Sequence, residues 1–255
     1  MEILRVERLA KDFGGVRALR NVSFSVETGE RLAIIGPNGA GKTTLFNVLH
    51  GQLSPSAGRV YVFGQDITHM ATHRRTHLGI ARSFQITSLF SNLTVVDNTL
   101  LALQGTEPSR FGMFRSINAY KDTLSRAQEL LEAWALWERR DDHIRNIAYG
   151  DQRRLEIALS LASNPKILLL DEPSAGLTAA ESADITEKID NLGKDVTVIL
   201  IAHDMDLVFG VAERIICLHY GEIIAEGTCD EILDDLRVKE VYMGIEESAY
   251  NAGTN

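Results

Sequence analysis

The segment Gly36-Pro37-Asn38-Gly39-Ala40-Gly41-Lys42-Thr43-Thr44 matches the phosphate-binding pattern G-x-x-x-x-G-K-[ST] at every fixed position. Its three glycines can adopt backbone conformations that other residues avoid, so the main chain can approach phosphate oxygens closely. The N–H groups of the turn and of the helix that follows form a concave anion site. In such a site Lys42 would bind the β- and γ-phosphates, and the Thr43 hydroxyl would ligate Mg²⁺. The segment therefore predicts a nucleotide site.

The flanking sequence supplies the context that this pattern requires. Residues 31–35 predict a strand, and residues 42–50 predict a helix that ends near Gly51. Four fixed positions match by chance in roughly one chain of this size in a hundred. A strand before the loop and a helix after it make an accidental match rarer still.

The composition is that of an ordinary globular protein. The chain has 255 residues, 45% hydrophobic and 24% charged, enough for one large core with an inserted subdomain. No run approaches 18 apolar residues, and residues 1–5 do not resemble a signal peptide. We therefore expect a cytosolic chain. Cys217 is expected to be a buried thiol and Cys229 an incidental one, rather than disulfide partners or metal ligands.

The charge balance argues against two classes of partner. The formal net charge is −9 and the sequence pI is about 5.3. Such acidity disfavours binding to nucleic acid and adhesion to anionic lipid by charge alone. Any association with a membrane would therefore have to run through a protein partner.

Strand-like segments alternate with turns and helices along most of the chain. They occur at 3–6, 22–26, 31–35, 58–63, 79–85, 167–170, 196–202, 214–219 and 222–225. The run 167–170 is continuously apolar, as is typical of a parallel strand buried on both faces. From residue 86 to 160 the pattern is mostly helical. We predict an α/β fold with a core of residues 1–85 and 161–255, a helical subdomain at 86–160, and disorder in the last dozen residues.

Three histidines, His69, His73 and His77, follow one another at helical spacing. Such a row could bind a metal ion, but no cysteine or carboxylate joins it, and Arg74 and Arg75 would repel a cation. We expect a solvated helix face instead.

A second feature is the segment 104–118, which combines Gly, Pro and Ser with the large apolar residues Phe111, Met113 and Phe114. Such a loop either packs on its own subdomain or forms a docking surface for a partner. The residues alone leave both possibilities open.

Polar residues stand at the ends of three predicted strands: Gln85, the pair Asp171 and Glu172, and His203. In an open α/β sheet, ligands bind at the carboxyl ends of the strands. Asp171, directly after a buried strand, could hold Mg²⁺ directly or through water. Glu172 could then orient or deprotonate an attacking water molecule.

With these residues in place, nearly the whole chain resembles the ATP-binding subunits of ABC transporters. The corresponding positions are the Walker A loop at 36–44, the Q-loop Gln85, the Walker B segment at 168–172, the D-loop at 174–177, the switch His203 and the adenine-stacking Phe13. The resemblance implies a P-loop NTPase core with an N-terminal antiparallel β subdomain and a helical subdomain that docks a permease. It also implies ATP and Mg²⁺ as cofactors. Thr43, Gln85 and Asp171 would bind the metal, and Glu172 and His203 would be catalytic residues. The docking interpretation of segment 104–118 is favoured accordingly.

The segment Ile147-Ala148-Tyr149-Gly150-Asp151, followed by Gln152, aligns with the family signature L-S-G-G-Q, which in the family caps the γ-phosphate bound by the opposite subunit. Ala148 replaces the serine, Tyr149 the first glycine and Asp151 the glutamine. The missing serine hydroxyl removes one phosphate hydrogen bond, and Asp151 would repel a phosphate that it faced. The Ala-Tyr-Gly form followed by Gln-Arg-Arg-Leu-Glu-Ile-Ala resembles the branched-chain amino acid importer branch of the family.

The resemblance implies an ATPase subunit peripheral to the cytoplasmic face of the cell membrane. Its expected partners are two transmembrane permease subunits, a second ATP-binding subunit and, indirectly, a solute-binding protein. One alternative is a lipid- or lipopolysaccharide-extracting ATPase, whose signature more often keeps Ser-Gly-Gly. Another is a soluble ABC protein acting on ribosomes or DNA, which the single cassette and the acidity disfavour.

Overall fold

In the computed structural model, which describes residues 1–83, 89–106 and 117–243, the phosphate-binding segment follows an inner strand of a six-stranded sheet. The strands are β3 (Arg31–Ile35), β6 (Ile80–Arg82), β7 (Ile167–Asp171), β8 (Thr197–Ile201), β9 (Arg214–His219) and β10 (Glu222–Gly227). Their order is β10-β9-β3-β8-β7-β6, and all neighbours are parallel except β10 and β9. The carboxyl ends of β3, β7 and β8 therefore lie at one edge of the sheet.

Both faces of this sheet are buried. In β3, Ala33 and Ile35 belong to one apolar cluster, whereas Leu32 and Ile34 belong to another on the opposite face. Every residue of β3, β7 and β8 is buried. This two-sided burial explains why these strands are continuous apolar runs in the sequence.

A second, antiparallel sheet confirms the predicted N-terminal β subdomain. Its strands are β1 (Glu2–Phe13), β2 (Val16–Glu27), β4 (Ala57–Val62) and β5 (Gln65–Asp66), in the order β2-β1-β4-β5. β1 and β2 are longer than predicted. The alternation in β1 is interrupted by Arg8, which has φ 45°, and by shifts of register between Val6 and Leu9. Such bulges break the period of two on which the prediction depended.

Nine α-helices occur in the described ranges 1–83, 89–106 and 117–243. They are α1 (Lys42–His50), α2 (Thr72–His77), α3 (Val95–Thr106), α4 (Ile117–Ala133), α5 (Tyr149–Leu161), α6 (Ala179–Asp190), α7 (Met205–Val211), α8 (Cys229–Asp234) and α9 (Leu236–Met243). Between β6 and β7 the described elements are α3, α4, α5 and two short 3₁₀ turns. In the parts of the chain that the structure describes, no helix combines the length and apolarity needed to cross a bilayer.

The histidine row is only partly helical. Helix α2 begins at Thr72, so it contains His73 and His77 but not His69, and the predicted alignment of three imidazoles is wrong. All three side chains are exposed, as expected for a solvated face. Arg75, by contrast, is 1% exposed and donates to the carbonyls of residues 48, 49, 67, 68 and 70. It fixes α2 against the end of α1.

Both cysteines are free thiols. Cys217 is fully buried in β9, and burial raises its pKa to about 11. Such a thiol stays protonated and unreactive at neutral pH. Gln85, the loop residues Phe111, Met113 and Phe114, and the last dozen residues lie outside the described residues.

Acidification should destabilise this fold through His50, the last residue of α1. Its side chain is buried, and burial, followed by the charges of Arg82 and Arg75, lowers its pKa from 6.5 to about 4. The unfolded state therefore binds this proton more tightly than the folded state. The stability contributed by neutral His50 is complete above about pH 6.5 and is lost as the pH falls toward 4, by about 3 kcal/mol at pH 4.

Urea unfolding of the wild type and of His50→Gln, measured from about pH 7.5 to 4, checks this expectation. Carboxylate titration affects both proteins alike, so the difference between their free energies of unfolding isolates the imidazole. The wild type should lose about 3 kcal/mol relative to the variant over this range. A difference that does not change with pH would contradict it.

Candidate functional site

The phosphate loop is shaped by glycines at positions that other residues could not occupy. Gly36 and Gly41 have φ 146° and 107°. A Cβ on Gly36 would lie 2.0 Å from the Leu218 carbonyl oxygen, and one on Gly41 would lie 2.5 Å from that of Ala18. The loop therefore packs directly on the backbones of β9 and β2. This contact leaves its N–H groups and the start of α1 at the carboxyl edge of the sheet.

Lys42, the first residue of α1, is 6% exposed and folds back over the loop. Its ammonium group donates to the carbonyl oxygens of Gly36 at 2.6 Å and Pro37 at 3.0 Å. Burial lowers the pKa of Lys42, and the charges of Glu172 and Asp171 oppose this shift. The ammonium is thus held in place by the loop and lies in the field of both carboxylates.

Asp171 ends β7 and is completely buried. Its Oδ2 accepts from Arg82 Nη2 at 2.6 Å, and Arg82 is held in turn by the side-chain oxygens of Asn47 at 2.6 Å and Gln52 at 2.9 Å. Asp171 Oδ1 is buried and has no hydrogen-bond partner among the residues that the structure describes. An unsatisfied carboxylate oxygen beside a phosphate loop fits a Mg²⁺ ion or its water, which prefer oxygen ligands.

Glu172 and His203 face each other across the ends of β7 and β8. Glu172 has φ 48°, and its N–H donates to the carbonyl of Ile201 at 2.8 Å. This left-handed conformation turns the chain out of the strand. Glu172 Oε1 lies 3.5 Å from His203 Nε2. The two side chains therefore form an acid–base pair beside the phosphate loop.

Most of the phosphate loop, Lys42, Glu172 and His203 line one open cleft of about 470 Å³, whereas Asp171 is buried outside its lining. Its lining consists of residues 38–44, Glu172, His203, Gly15, Val16, Arg17, Ala18, Arg20 and Tyr220. Phe13, at the end of β1, is 46% exposed and lies outside this lining, with the Lys11 ammonium 5.0 Å from its ring centroid. The sequence reasoning overlooked Arg17, Arg20 and Tyr220. The only signal for them in the sequence was the pair Arg17 and Arg20, which lies in β2, the strand that contacts the phosphate loop.

The signature segment lies elsewhere, at the start of α5. Ala148 is the N-cap residue, and the Gln152 side chain donates to the carbonyls of Ile144 and Ile147. The structure does not place any of residues 148–152 among those lining the cleft. One chain therefore does not bring its own signature segment to its own phosphate loop.

Two of the three replaced signature residues, Asp151 and Tyr149, have structural partners. Asp151 is 6% exposed and pairs with Arg139 at 3.0 Å and Arg154 at 3.1 Å. Its charge is compensated inside the helical segment rather than presented at the surface. Tyr149 is 49% exposed, and its hydroxyl donates to the Ala175 carbonyl at 3.2 Å. The tyrosine thus joins the signature segment to the D-loop of the same chain.

Substitution of Gly36 should disrupt the loop, because a Cβ there would overlap a backbone oxygen that cannot move alone. Gly36→Ala should destabilise the fold by more than about 2 kcal/mol and weaken nucleotide binding at least about tenfold. Gly39→Ala is the matched control, since Gly39 has φ 80° but nothing lies within 4 Å of its Cβ position. Its cost should be about 1 kcal/mol of backbone strain.

Titration with a fluorescent ATP analogue and urea unfolding of both variants measure these effects. Equal losses in the two variants would show that the close approach of the loop to β9 does not matter.

Comparison with known proteins agrees with this geometry. Residues 19–175 match the family model described as ABC transporter. The chain is 38% identical over 251 residues to the high-affinity branched-chain amino acid transport ATP-binding protein LivG of Salmonella typhimurium, which covers 95% of this chain and 98% of LivG. It is 36% identical over 245 residues to the lipopolysaccharide export system ATP-binding protein LptB of Escherichia coli, covering 96% and 98%. MJ1267, an ATP-binding cassette of an ABC transporter solved in its ADP conformation, has a TM-score of 0.83 at 34% identity, covering 96% and 99%.

The family model covers more than half of the chain, and these similarities extend over nearly all of it. The two sheets, the phosphate loop and the carboxylates at the strand ends form the architecture of an ATPase cassette. The chain belongs to the ABC transporter family, as one of its ATP-binding and ATP-hydrolysing subunits.

Proposed function

We propose that this chain drives an ABC importer for branched-chain or other hydrophobic amino acids. The observation that carries the ATPase part of this proposal is the Glu172–His203 pair at the rim of the phosphate-loop cleft. The similarity to LivG supports the importer and its substrate class.

The phosphate loop, residues 36–44, would bind the triphosphate through its N–H groups, with Lys42 on the β- and γ-phosphates. Thr43 lines the cleft, and Asp171 has one buried carboxylate oxygen without a hydrogen-bond partner among the described residues. We assign Thr43, Asp171 and Gln85 to Mg²⁺, which when bound neutralises charge that develops on the phosphates. Phe13 remains a prediction for the adenine; it lies outside the cleft lining, but Gly15 and Val16, two and three residues further on, belong to that lining.

Glu172 would act on the attacking water, accepting its proton or orienting it. Its left-handed backbone turns the carboxylate toward the cleft instead of the sheet. His203 would contact the γ-phosphate and hold Glu172 from the other side. Glu172 Oε1 and His203 Nε2 are 3.5 Å apart, so Glu172 can bind the attacking water while His203 binds the γ-phosphate.

The separation of the signature segment from the cleft supports a working dimer. Residues 148–152 of each chain would cap the γ-phosphate bound by the other, so that two chains enclose two ATP molecules. The N–H groups at the start of α5 supply the anion site, and Tyr149 contributes exposed surface beside it. The second ATP-binding subunit would be another copy or a related chain.

A groove between the core and α3 suits the permease. It is lined by Arg82, Ser83, Phe90, Asn98, Leu101, Ala102, Glu156, Leu159 and Ser160. Phe90 and Leu101 both line this groove and are 61% and 45% exposed, and apolar groups exposed within one groove are typical of an interaction surface. We propose that residues 86–160 form one subdomain that receives a cytoplasmic segment of a permease there, so that a pair of ATP-binding subunits serves two permeases.

These partners would hold the chain at the cytoplasmic face of the cell membrane, with a solute-binding protein reaching it only through the permeases. The similarity to LptB favours a second candidate, extraction of lipopolysaccharide. The Ala148-Tyr149 form of the signature supports the amino acid importer over it. Neither function involves binding to nucleic acid.

Glu172→Gln should keep ATP binding and abolish turnover, because the amide cannot accept the proton of the attacking water. A fall in kcat of at least about a hundredfold is expected, with an ATP-bound dimer accumulating on size-exclusion chromatography. Undiminished steady-state phosphate release would overturn the assignment of Glu172.

Leu101→Asp should uncouple the chain from its permeases without impairing its own ATPase activity. Burying an unpaired carboxylate in the docking groove costs several kcal/mol, so assembly with the permeases should fall at least about tenfold. Leu236→Asp is the control, since Leu236 is 73% exposed on α9 away from the groove. Equal assembly of both variants, measured by co-purification in mild detergent, would argue against this docking site.

The same co-purification from native membranes, with every partner identified by mass, tests the transport function itself. Two permeases with a second cassette and a solute-binding protein would support the importer. Permeases without a binding protein but with lipopolysaccharide would favour the second candidate.

A further inference from the structure

Arg153, on the second turn of α5, donates hydrogen bonds to three successive backbone carbonyls at the carboxyl end of β7. Its Nε donates to the carbonyl of Pro173 at 3.0 Å, and its Nη2 donates to those of Asp171 at 2.9 Å and Glu172 at 2.6 Å. The side chain is 2% exposed. One guanidinium group therefore holds the backbone of residues 171–173, the segment that carries the Glu172 carboxylate.

This segment needs such support. Glu172 has φ 48°, a conformation that costs a non-glycine residue about 1–3 kcal/mol and persists only where its surroundings enforce it. The carbonyls that follow the end of a strand also lose their ladder partners. A planar guanidinium offers five N–H donors in a fixed fork, so it can satisfy several carbonyls and fix their spacing. The ammonium of a lysine cannot reproduce that fork.

Arg153 is itself fixed by a residue of the docking groove. Its Nη1 donates to Glu156 Oε2 at 2.9 Å, one turn further along α5, and the Glu156 side chain is 7% exposed. Glu156 Oε1 is buried without a hydrogen-bond partner in the described part of the chain. Glu156 also lines the groove assigned to the permease.

α5 thus connects three places within two helical turns. It begins at Tyr149 in the signature segment, grips the Asp171–Pro173 backbone through Arg153, and reaches the docking groove at Glu156. A rotation of α5 that moved Arg153 would move the carbonyl of Glu172, and with it the direction of its carboxylate. This path runs through the helix itself.

We propose that Arg153 is a positioning residue for ATP hydrolysis, which holds Glu172 in its active conformation and links it to the permease groove through Glu156. The inference rests on the proposed role of Glu172. It assigns Arg153 no contact with ATP, so its loss should lower kcat and leave ATP binding unchanged.

The first test compares Arg153→Lys with Arg31→Lys in the purified full chain. Arg31 is a matched control, because it is 3% exposed and donates to the carbonyls of Ile189, Asp190 and Leu192, yet begins β3 at the opposite edge of the sheet. Arg153→Lys should lower kcat about thirtyfold, with KM for ATP within about threefold of the wild-type value. Arg31→Lys should lower the Tm by a similar amount and keep the wild-type kcat.

A merely structural role for Arg153 would give another pattern. Loss of kcat in both variants in proportion to their loss of Tm would overturn the proposal. Should Arg153→Lys fail to fold, Glu156→Gln provides the second variant, since it leaves Arg153 present but weakens its anchor. It should lower kcat about threefold to tenfold, and an unchanged kcat would count against the link.

The second test places Arg153→Lys in the Glu172→Gln background and follows single-turnover release of radiolabelled phosphate. Because Arg153 acts through the Glu172 carboxylate, its substitution should cause no further loss there. A thirtyfold loss in both backgrounds would show that Arg153 acts on something else and would overturn the inference alone. Wild-type turnover in Glu172→Gln itself would instead overturn the proposed role of Glu172.

Discussion

Two-sided burial of the parallel sheet is the constraint on which the rest of the structure depends. Every residue of β3, β7 and β8 is buried, so the faces of these strands carry no side chain that a ligand could reach. Chemistry is confined to the ends. The phosphate loop, Asp171 with Glu172, and His203 follow three neighbouring strands, and parallel pairing brings all of them to one edge.

Charges that lie at this edge are costly unless they are paired. Asp171 is completely buried, and Arg82 compensates one of its oxygens. Removing one partner of such a pair typically costs about 3–5 kcal/mol, because the other charge remains buried. The pair fixes the carboxylate and leaves its second oxygen without a hydrogen-bond partner among the described residues. Arg82 belongs to the short strand β6, so the same contact also joins the end of β6 to the end of β7.

Arg153 plays the corresponding role for the backbone. Where Arg82 holds a side chain, Arg153 holds the carbonyls of the next residues, and it comes from the helix that follows the signature segment. Two buried arginines from different parts of the chain thus surround the end of β7. Arg82 lines the proposed docking groove, and Arg153 contacts Glu156, which also lines it, so this groove lies close to the end of β7 and to Glu172.

The sequence by itself determined the α/β class, the phosphate loop, the buried strands and the polar residues at their ends. These are local patterns, a fixed glycine spacing or a continuous apolar run, and local patterns survive without knowledge of the fold. It failed where the period was interrupted, as at the Arg8 bulge in β1, and where a helix began later than its histidine spacing indicated.

Only the tertiary structure decided which polar residues meet. Arg153 and Asp171 are 18 residues apart, Arg82 and Asp171 are 89 apart, and no spacing rule relates them. The sequence left the effect of Asp151 undetermined, and the structure pairs it with Arg139 and Arg154 inside the helical segment. Pairing of this kind depends on how the elements pack, since a buried charge takes the partner that packing brings within hydrogen-bond distance.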